Sequence, residues 1–346
     1  MMASKSEYMM FLKHPAWLWY KKHDKKKLPP VDHQLQAMFD AGNIFERYAE
    51  ELFPEGIHLG FSSFDEYRSL SDRTTRAIHD GAKTIYQGRF EHEQLTFICD
   101  VLQIVDENTV DLTEIKSSTS VKTDHKKDLA FQMIVLEGCG YEVRNISVAH
   151  VDNTYVRDGD IDPKKITAIT DVTDSVKKLR EVTKEQAKQA LIVASSDVCP
   201  DPSPVHADPN AFKDWLSVYK THMDIEHGSI FELGQLNIDQ YSQLEAEGIT
   251  KLVDISNDFK LKPRQALQLE TTKLDHSIVD KEPIEEFLNN FEFPLYFLDY
   301  ETMGSVIPYF DGMQPYKQYP FQYSLHILDS PEAELRHVEF LHADPS

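Results

Sequence analysis

The segment from residue 94 to residue 116 constrains this chain more than any other. Gln94 to Val105 (QLTFICDVLQIV) is β-rich, Asp106-Glu107-Asn108-Thr109 reads as a turn, and Val110 to Lys116 (VDLTEIK) returns as a second strand. A hairpin centred on Glu107 pairs residues whose numbers sum to 214, so Asp100 faces Glu114. Directly opposed side chains on one sheet face have Cβ atoms roughly 4.5–5.5 Å apart, and like charges there repel. A divalent cation would remove that penalty. Glu114 and Lys116 are two residues apart, so the strand period sets both on one face. Two carboxylates and a lysine on one hairpin are the groups that metal-assisted cleavage of a phosphodiester requires. The competing reading is an ordinary exposed hairpin with an i, i+2 ion pair, since strand faces alternate in this way routinely.

The flanking sequence decides which context this hairpin sits in. A helix is expected over residues 4–27, capped by Ser4 or Ser6 and ending before Leu28-Pro29-Pro30. A second runs over 32–53 to Pro54-Glu55-Gly56, and a third covers 69–82, followed by a short strand at 84–87. Beyond the hairpin come a lysine-rich loop, a helix over 128–138 and a strand over 140–150. Strands bracketing a helix predict an α/β fold with a mixed central sheet flanked by helices. From about residue 170 the pattern is helical, interrupted by the breaker-rich Cys199-Pro200-Asp201-Pro202-Ser203-Pro204. Residues 240–255 read helix, Gly-Ile turn, helix, either a phosphate-binding helix-hairpin-helix or a plain αα-hairpin. New apolar strands begin at Phe293 and Phe321.

Composition limits the partners. The formal net charge is −22, from 58 acidic and 36 basic residues, which opposes broad adhesion to nucleic acid or an anionic membrane. A local basic groove could still form at Lys21–Lys27 or among the four lysines between residues 116 and 127, with a solvated face as the alternative. At 41% hydrophobic and 11% aromatic content, the 346 residues can bury a core spanning two or three domains. Cys99, Cys139 and Cys199 form no C-x-x-C pair and read as reduced thiols. No run approaches the ~18 apolar residues of a membrane span, and the N-terminus lacks the apolar region of a secretory signal. A cytoplasmic protein with no membrane partner is expected.

The order Glu46 on a helix, then Asp100, then Glu114-Ile115-Lys116, then Gln132 on the next helix resembles the PD-(D/E)XK nuclease superfamily. The branch it resembles is the RecB-nuclease-like one that includes the CRISPR adaptation exonucleases. The whole chain is similar to a family of uncharacterised prokaryotic proteins that join such a nuclease to a C-terminal segment with a D-x-E strand. The matching text includes Ser4-Lys5-Ser6-x-Tyr8 with Leu18-Trp19, Leu52-Phe53-Pro54-x-Gly56, Asp128-Leu129-Ala130-Phe131-Gln132 and Tyr155-Val156-Arg157.

This resemblance implies a restriction-endonuclease-like core over 1–185, a helical region over 186–288 and the start of an RNase H/DnaQ-like sheet over 289–346. It implies that Asp100 and Glu114 ligate Mg²⁺ or Mn²⁺ with the Ile115 carbonyl as a further ligand. Lys116 would orient or help deprotonate the attacking water, and Gln132 would steady the lysine or the substrate backbone. The partner implied is nucleic acid, DNA rather than RNA, and a protein partner stays open. Relatives place a metal-binding histidine on the early helix; here Phe45 stands there, followed by Glu46, which could substitute as a ligand. Relatives also hold an iron–sulfur cluster through cysteines, but His14-Pro15 replaces the first and three thiols cannot build a four-thiolate site, so no cluster is expected. A zinc site from His14, Cys199, His206 and His222 matches no usual spacing.

Asp299 and Glu301 share a strand face and resemble the first motif of DnaQ-type exonucleases, which hold two metals about 3.5–4 Å apart. Asp311, Asp329 and Asp344 fall in no recognisable later motif, so this segment reads as an incomplete and inactive second site. The missing histidine, the missing cysteines and the net charge keep a second reading open: a weakly active or inactive nucleic-acid-binding scaffold with a nuclease fold.

Overall fold

The computed structural model describes residues 1–342 apart from 31, 54 and 224, so Pro54 and Asp344, both named above, lie outside the described residues. A two-residue strand, β1 (Ala3–Ser4), leads into α1 (Lys5–Lys13), whose first turn is closed by reciprocal bonds between Ser4 and Glu7. The single N-terminal helix expected from the sequence breaks at His14. Pro15 lacks an N–H and disfavours helical geometry in the residue before it, so α2 (Pro15–His23) restarts there with the His14 side chain as its cap. There follow α3 (His33–Glu50), β2 (Gly56–His58), α4 (Phe64–His79), β3 (Thr84–Tyr86) and β4 (Arg89–His92).

The stretch read as one strand from 94 to 105 is two: β5 (Leu95–Ile98) and β6 (Val101–Ile104). They belong to different sheets, and the chain crosses between them at Cys99-Asp100. Next come β7 (Thr109–Lys116), α5 (Thr123–Gly138), β8 (Glu142–Val151), α6 (Pro163–Ile166), β9 (Thr167–Asp171), α7 (Thr173–Lys177) and α8 (Arg180–Ser195). The larger sheet has the order β2-β3-β6-β7-β8-β9 and the smaller one β1-β5-β4. Within the larger sheet β3, β6 and β7 form an antiparallel meander, and β8 lies parallel to β7 after the α5 crossover. A meander, a crossover helix and a parallel fourth strand make the mixed, helix-flanked sheet of a restriction-endonuclease-like core. Helix α5 is buried on every side from Asp128 to Leu136, apolar there except for Asp128 and Gln132. Its Leu129, Met133 and Leu136 pack with Leu112 and Val148 of the sheet and Ala187 and Ala190 of α8.

Beyond α8 the chain is helical: α9 (Phe212–His222), α10 (Ile238–Ala246), α11 (Pro263–Leu274) and α12 (Lys281–Asn289). After α10 the chain turns at Gly248 (φ 72°), but only a single 3₁₀ turn, Leu252–Asp254, follows. The helix-hairpin-helix reading therefore falls, because its second limb is not a helix. A three-stranded antiparallel sheet ends the described chain, in the order β10 (Leu295–Met303), β11 (Tyr319–Leu328), β12 (Arg336–Leu341). The loop between β10 and β11 folds back on the core, where Val306 packs with Phe45, Tyr86 and Ile115. Among the described residues no helix is long and apolar enough to cross a membrane.

Candidate active site

The β6–β7 pairing runs in the register that the sequence implied: Val101 faces Thr113 and Leu102 faces Leu112. Asp100 sits one residue before β6, at the crossing between the two sheets, where its carbonyl still accepts the Gln87 N–H at 3.3 Å. Its Oδ2 accepts the Ile115 N–H at 2.7 Å, which clamps the carboxylate against β7. Ile115 itself turns its side chain into the core, leaving only its backbone available to the site.

Glu114 is fully buried and is the hub. Its Oε1 accepts from Lys116 Nζ at 2.6 Å and from Lys5 Nζ at 2.8 Å, and its Oε2 accepts from Gln132 Nε2 at 2.6 Å. The Gln132 amide also donates to Asp128 Oδ1 at 3.0 Å, and Asp128 Oδ2 stands 3.4 Å from Lys116 Nζ. With two carboxylates in front of it, Gln132 must present its NH₂ to them. That orientation leaves its Oε1 buried without a donor, at a cost of about 1–3 kcal/mol unless a donor arrives.

On α3 the helical period separates two neighbours. Phe45 and Ala49 are buried in the core beneath the sheet, whereas half-buried Glu46 accepts from the Gln87 side chain and feels the charge of Glu114. The position where the resemblance implies a histidine thus belongs to the core in this chain, and the acidic side chain beside it is the one that turns toward the site.

Two participants escaped the sequence reading. Lys5 arrives from the first turn of α1, held there by the Ser4–Glu7 cap and by the parallel pairing of β1 with β5. Ser4-Lys5-Ser6 reads as a helix start and as part of the family resemblance, but nothing in its spacing points to a residue 109 positions away. Asp128 was in reach, because it precedes Gln132 by four residues and so shares its helix face.

The electrostatics follow from crowding under burial. Burial works against ionisation of Glu114, but Lys116 and Lys5 outweigh it and hold its carboxyl well below the usual range. Both lysines stay firmly protonated: burial disfavours their charge, and Glu114 together with Asp128 and Asp100 more than offsets it. Burial and the Glu114 charge push Asp100 up to about 8, and the same two causes raise Asp128 and Glu46. Among the described residues no cation lies within salt-bridge distance of Asp100. Four carboxylates face two ammonium groups, an excess of two negative charges when all are ionised.

A divalent cation suits this donor set, since it supplies the missing charge. Among the described residues no three His, Cys, Asp or Glu side chains form a ready-made cage. A cation held by two opposed carboxylates and a carbonyl would complete its shell with water, which is how Mg²⁺ is commonly bound. The alternative zinc set has other employment: His14 caps α2, stacks on Trp215 at 4.5 Å and reaches the Ser203 carbonyl at 3.1 Å. Asp299 and Glu301 stand exposed on β10.

A family profile described as a domain of unknown function, DUF2779, matches residues 296–346. No curated protein matches the chain. Among solved structures the chain is similar to an alkaline exonuclease from Laribacter hongkongensis, with 11% identity, a TM-score of 0.22, and coverage of 56% of this chain and 91% of that one. It is also similar to a phage-related exonuclease from Haemophilus somnus 129PT, with 12% identity, a TM-score of 0.19, and coverage of 49% and 91%. Similarity at this level carries no weight for activity, which the side chains must supply themselves.

Proposed function

We propose that this protein is a divalent-metal-dependent nuclease that hydrolyses phosphodiester bonds in DNA. One observation carries the reading: half-buried Asp100 bonds the Ile115 N–H beside fully buried Glu114 on β7, with Lys116 on Glu114 and more carboxylates than lysines in the cluster. Asp100, Glu114, the Ile115 carbonyl and Glu46 would hold Mg²⁺ or Mn²⁺. When bound, the ion supplies Lewis-acid charge that lowers the pKa of a water and offsets charge on the scissile phosphate.

The remaining work belongs to the chain's own residues. Lys116, kept as an ammonium by Glu114, can donate to a phosphate oxygen and orient the attacking water, but it is not placed to take up a proton. Lys5 adds a second ammonium on the same carboxylate oxygen. Gln132 fixes the rotamer of Glu114 through Oε2, and Asp128 holds Gln132 and Lys116 in turn. Three unpaired thiols suit a reducing cytoplasm, and the burial of Cys99 removes it from any cluster.

The second reading, a binding scaffold without catalysis, draws on one feature: both lysines already occupy Glu114 Oε1. Incubating the protein with labelled single- and double-stranded DNA and Mg²⁺ or Mn²⁺ separates the two. Cleavage lost in Glu114→Ala and Lys116→Ala is expected; cleavage undiminished in both sinks the proposal. Calorimetric titration with Mn²⁺ should give an Asp100-dependent site, which a pure scaffold lacks.

A further inference from the structure

A cleft of about 560 Å³ opens beside Lys116, between α3, the loop after β7 and the loop after β10. Three lining features set its chemistry: cations from Lys116 and Lys122, hydroxyls from Ser117, Ser118 and Thr119, and the ring of Tyr316. None of its lining residues is Asp or Glu, in a chain with 58 acidic against 36 basic residues. Lys122 is exposed, and among the described residues no carboxylate pairs with it. The acidic surface of the protein is therefore interrupted at the edge of the candidate active site.

Tyr316 comes from the far end of the chain and is held firmly. Its hydroxyl donates to the Ser117 carbonyl and its N–H donates to the Ser305 carbonyl at 2.8 Å. Its φ is +61°, a left-handed conformation that an aromatic residue rarely adopts unless its surroundings enforce it. The loop that carries it is fastened by Arg157. Arg157 Nη1 donates to the carbonyls of Pro308 at 2.9 Å and Tyr309 at 2.6 Å, and its N–H donates to Met313 at 3.0 Å. Gly312 returns a bond to the Arg157 carbonyl at 2.8 Å, and Asp311 accepts from the Gly159 N–H at 2.8 Å. The loop is fastened to the nuclease-like core at several points, and the half-exposed ring is left facing the cleft.

We propose that this cleft binds a single strand of DNA on its way to Glu114, with a base stacked on Tyr316 and the adjoining phosphates on Lys122 and the Ser117–Thr119 hydroxyls. The inference rests on the nuclease reading for its direction toward the site. Stacking on a fixed ring requires an unpaired base, and a cationic, hydroxyl-rich wall tracks the backbone; together they are the usual platform for single strands. The C-terminal loop is then part of the substrate path of the N-terminal core, with Arg157 as the residue that positions it.

The test is fluorescence anisotropy of a short labelled oligothymidylate on the full chain in EDTA, where cleavage is silent. Tyr316→Ala should weaken binding about tenfold, the scale of one lost base–aromatic stack, while Tyr316→Phe retains the ring and binds as wild type. Lys122→Ala should weaken binding and flatten the salt dependence by about 0.7 in slope, one phosphate on a single strand. Lys184→Ala, on α8 beside the C-terminal end of α5, should leave both unchanged. Wild-type affinity and salt slope in both Tyr316→Ala and Lys122→Ala overturn the proposal, as does tighter binding of the same strand in duplex form. Failure of the two readings is distinguishable. A protein that binds through Tyr316 and Lys122 yet never cleaves refutes the nuclease alone; one that cleaves but ignores both substitutions in binding refutes the cleft alone.

Discussion

Exchanging Glu114 for glutamine keeps the shape of a fully buried side chain and removes its charge. That charge receives Lys5 at 2.8 Å and Lys116 at 2.6 Å on one oxygen and Gln132 at 2.6 Å on the other. Breaking a buried pair by deleting one partner costs about 3–5 kcal/mol, because the surviving charge stays behind. Here two ammonium groups survive, but their side chains keep 19% and 28% of their surface exposed. Asp128 also stays 4.0 Å from Lys5 and 3.4 Å from Lys116. Solvent and Asp128 absorb part of the loss, which sets the destabilisation at about 2–4 kcal/mol. For a cooperative unit of this size that is a fall in Tm of roughly 5–15 °C. Thermal unfolding followed by circular dichroism in EDTA, wild type against Glu114→Gln, measures it. The sign with pH is fixed. Burial opposes the Glu114 charge, Lys116 and Lys5 outweigh it, and the folded-state pKa lies below the ordinary value. The stabilisation is therefore complete above about pH 4.3 and fades only as pH falls below it. A variant that melts within about a degree of wild type at neutral pH refutes the claim that these pairs hold the site together.

Asp100→Asn should act in the opposite direction. Burial and Glu114 raise the Asp100 carboxyl to about 8, so its contribution is intact below about pH 3.9 and is lost as pH rises through the folded value. In EDTA the Asn variant should have the higher denaturation midpoint at alkaline pH, with the gap closing in acid; urea titrations across pH check this. Adding Mn²⁺ should stabilise wild type by about 2.7 kcal/mol at a hundredfold excess over its Kd and leave Asp100→Asn unmoved in the same scan. Phe45→His, which would supply the histidine that the nuclease resemblance implies, should build no ligand, because Phe45 packs with Tyr86, Val101 and Ile115. Loss of the ring from that core should cost about 3 kcal/mol, and calorimetry should show no tighter Mn²⁺ binding.

The hairpin register was legible because a polar turn lies between two runs of fixed length, and the observed pairing of Val101 with Thr113 obeys it. The division of its first strand was not. No glycine or proline separates Ile98 from Val101, and what splits them is tertiary: β5 finds β4 and β1, β6 finds β3 and β7. Gln87 N–H bonding to the Asp100 carbonyl at 3.3 Å and Cys99 N–H bonding to Gly88 at 2.9 Å mark the crossing. Glu46 was found by its place in an order of acidic residues, yet the period of α3 alone separates it from Phe45 and Ala49, four apart on the buried face. Lys5 could not be found from local pattern, since tertiary pairing of β1 with β5 and packing of α1 against α5 bring it to Glu114.

The energetics of this cluster bear on why it exists. Most interior positions around Glu114 are apolar: Leu112 two residues before it and Val148 opposite it are fully buried and need no charge. A well-packed apolar residue at 114 would satisfy the fold at least as well, because desolvating two charges commonly exceeds what their attraction returns. The site goes further, raising Asp100, Asp128 and Glu46 by burial and mutual repulsion and leaving Gln132 Oε1 without a donor. Packing gains nothing from any of these. Several strained ionisable groups kept together, at the crossing of two sheets and beside a cleft free of acid, are what the proposed binding of a charged ligand would require. The excess of carboxylate over ammonium gives that ligand's sign at the hub, and the lysine- and hydroxyl-lined cleft gives the opposite sign beside it. The proposed cation and anionic strand, meeting at Glu114, would satisfy both.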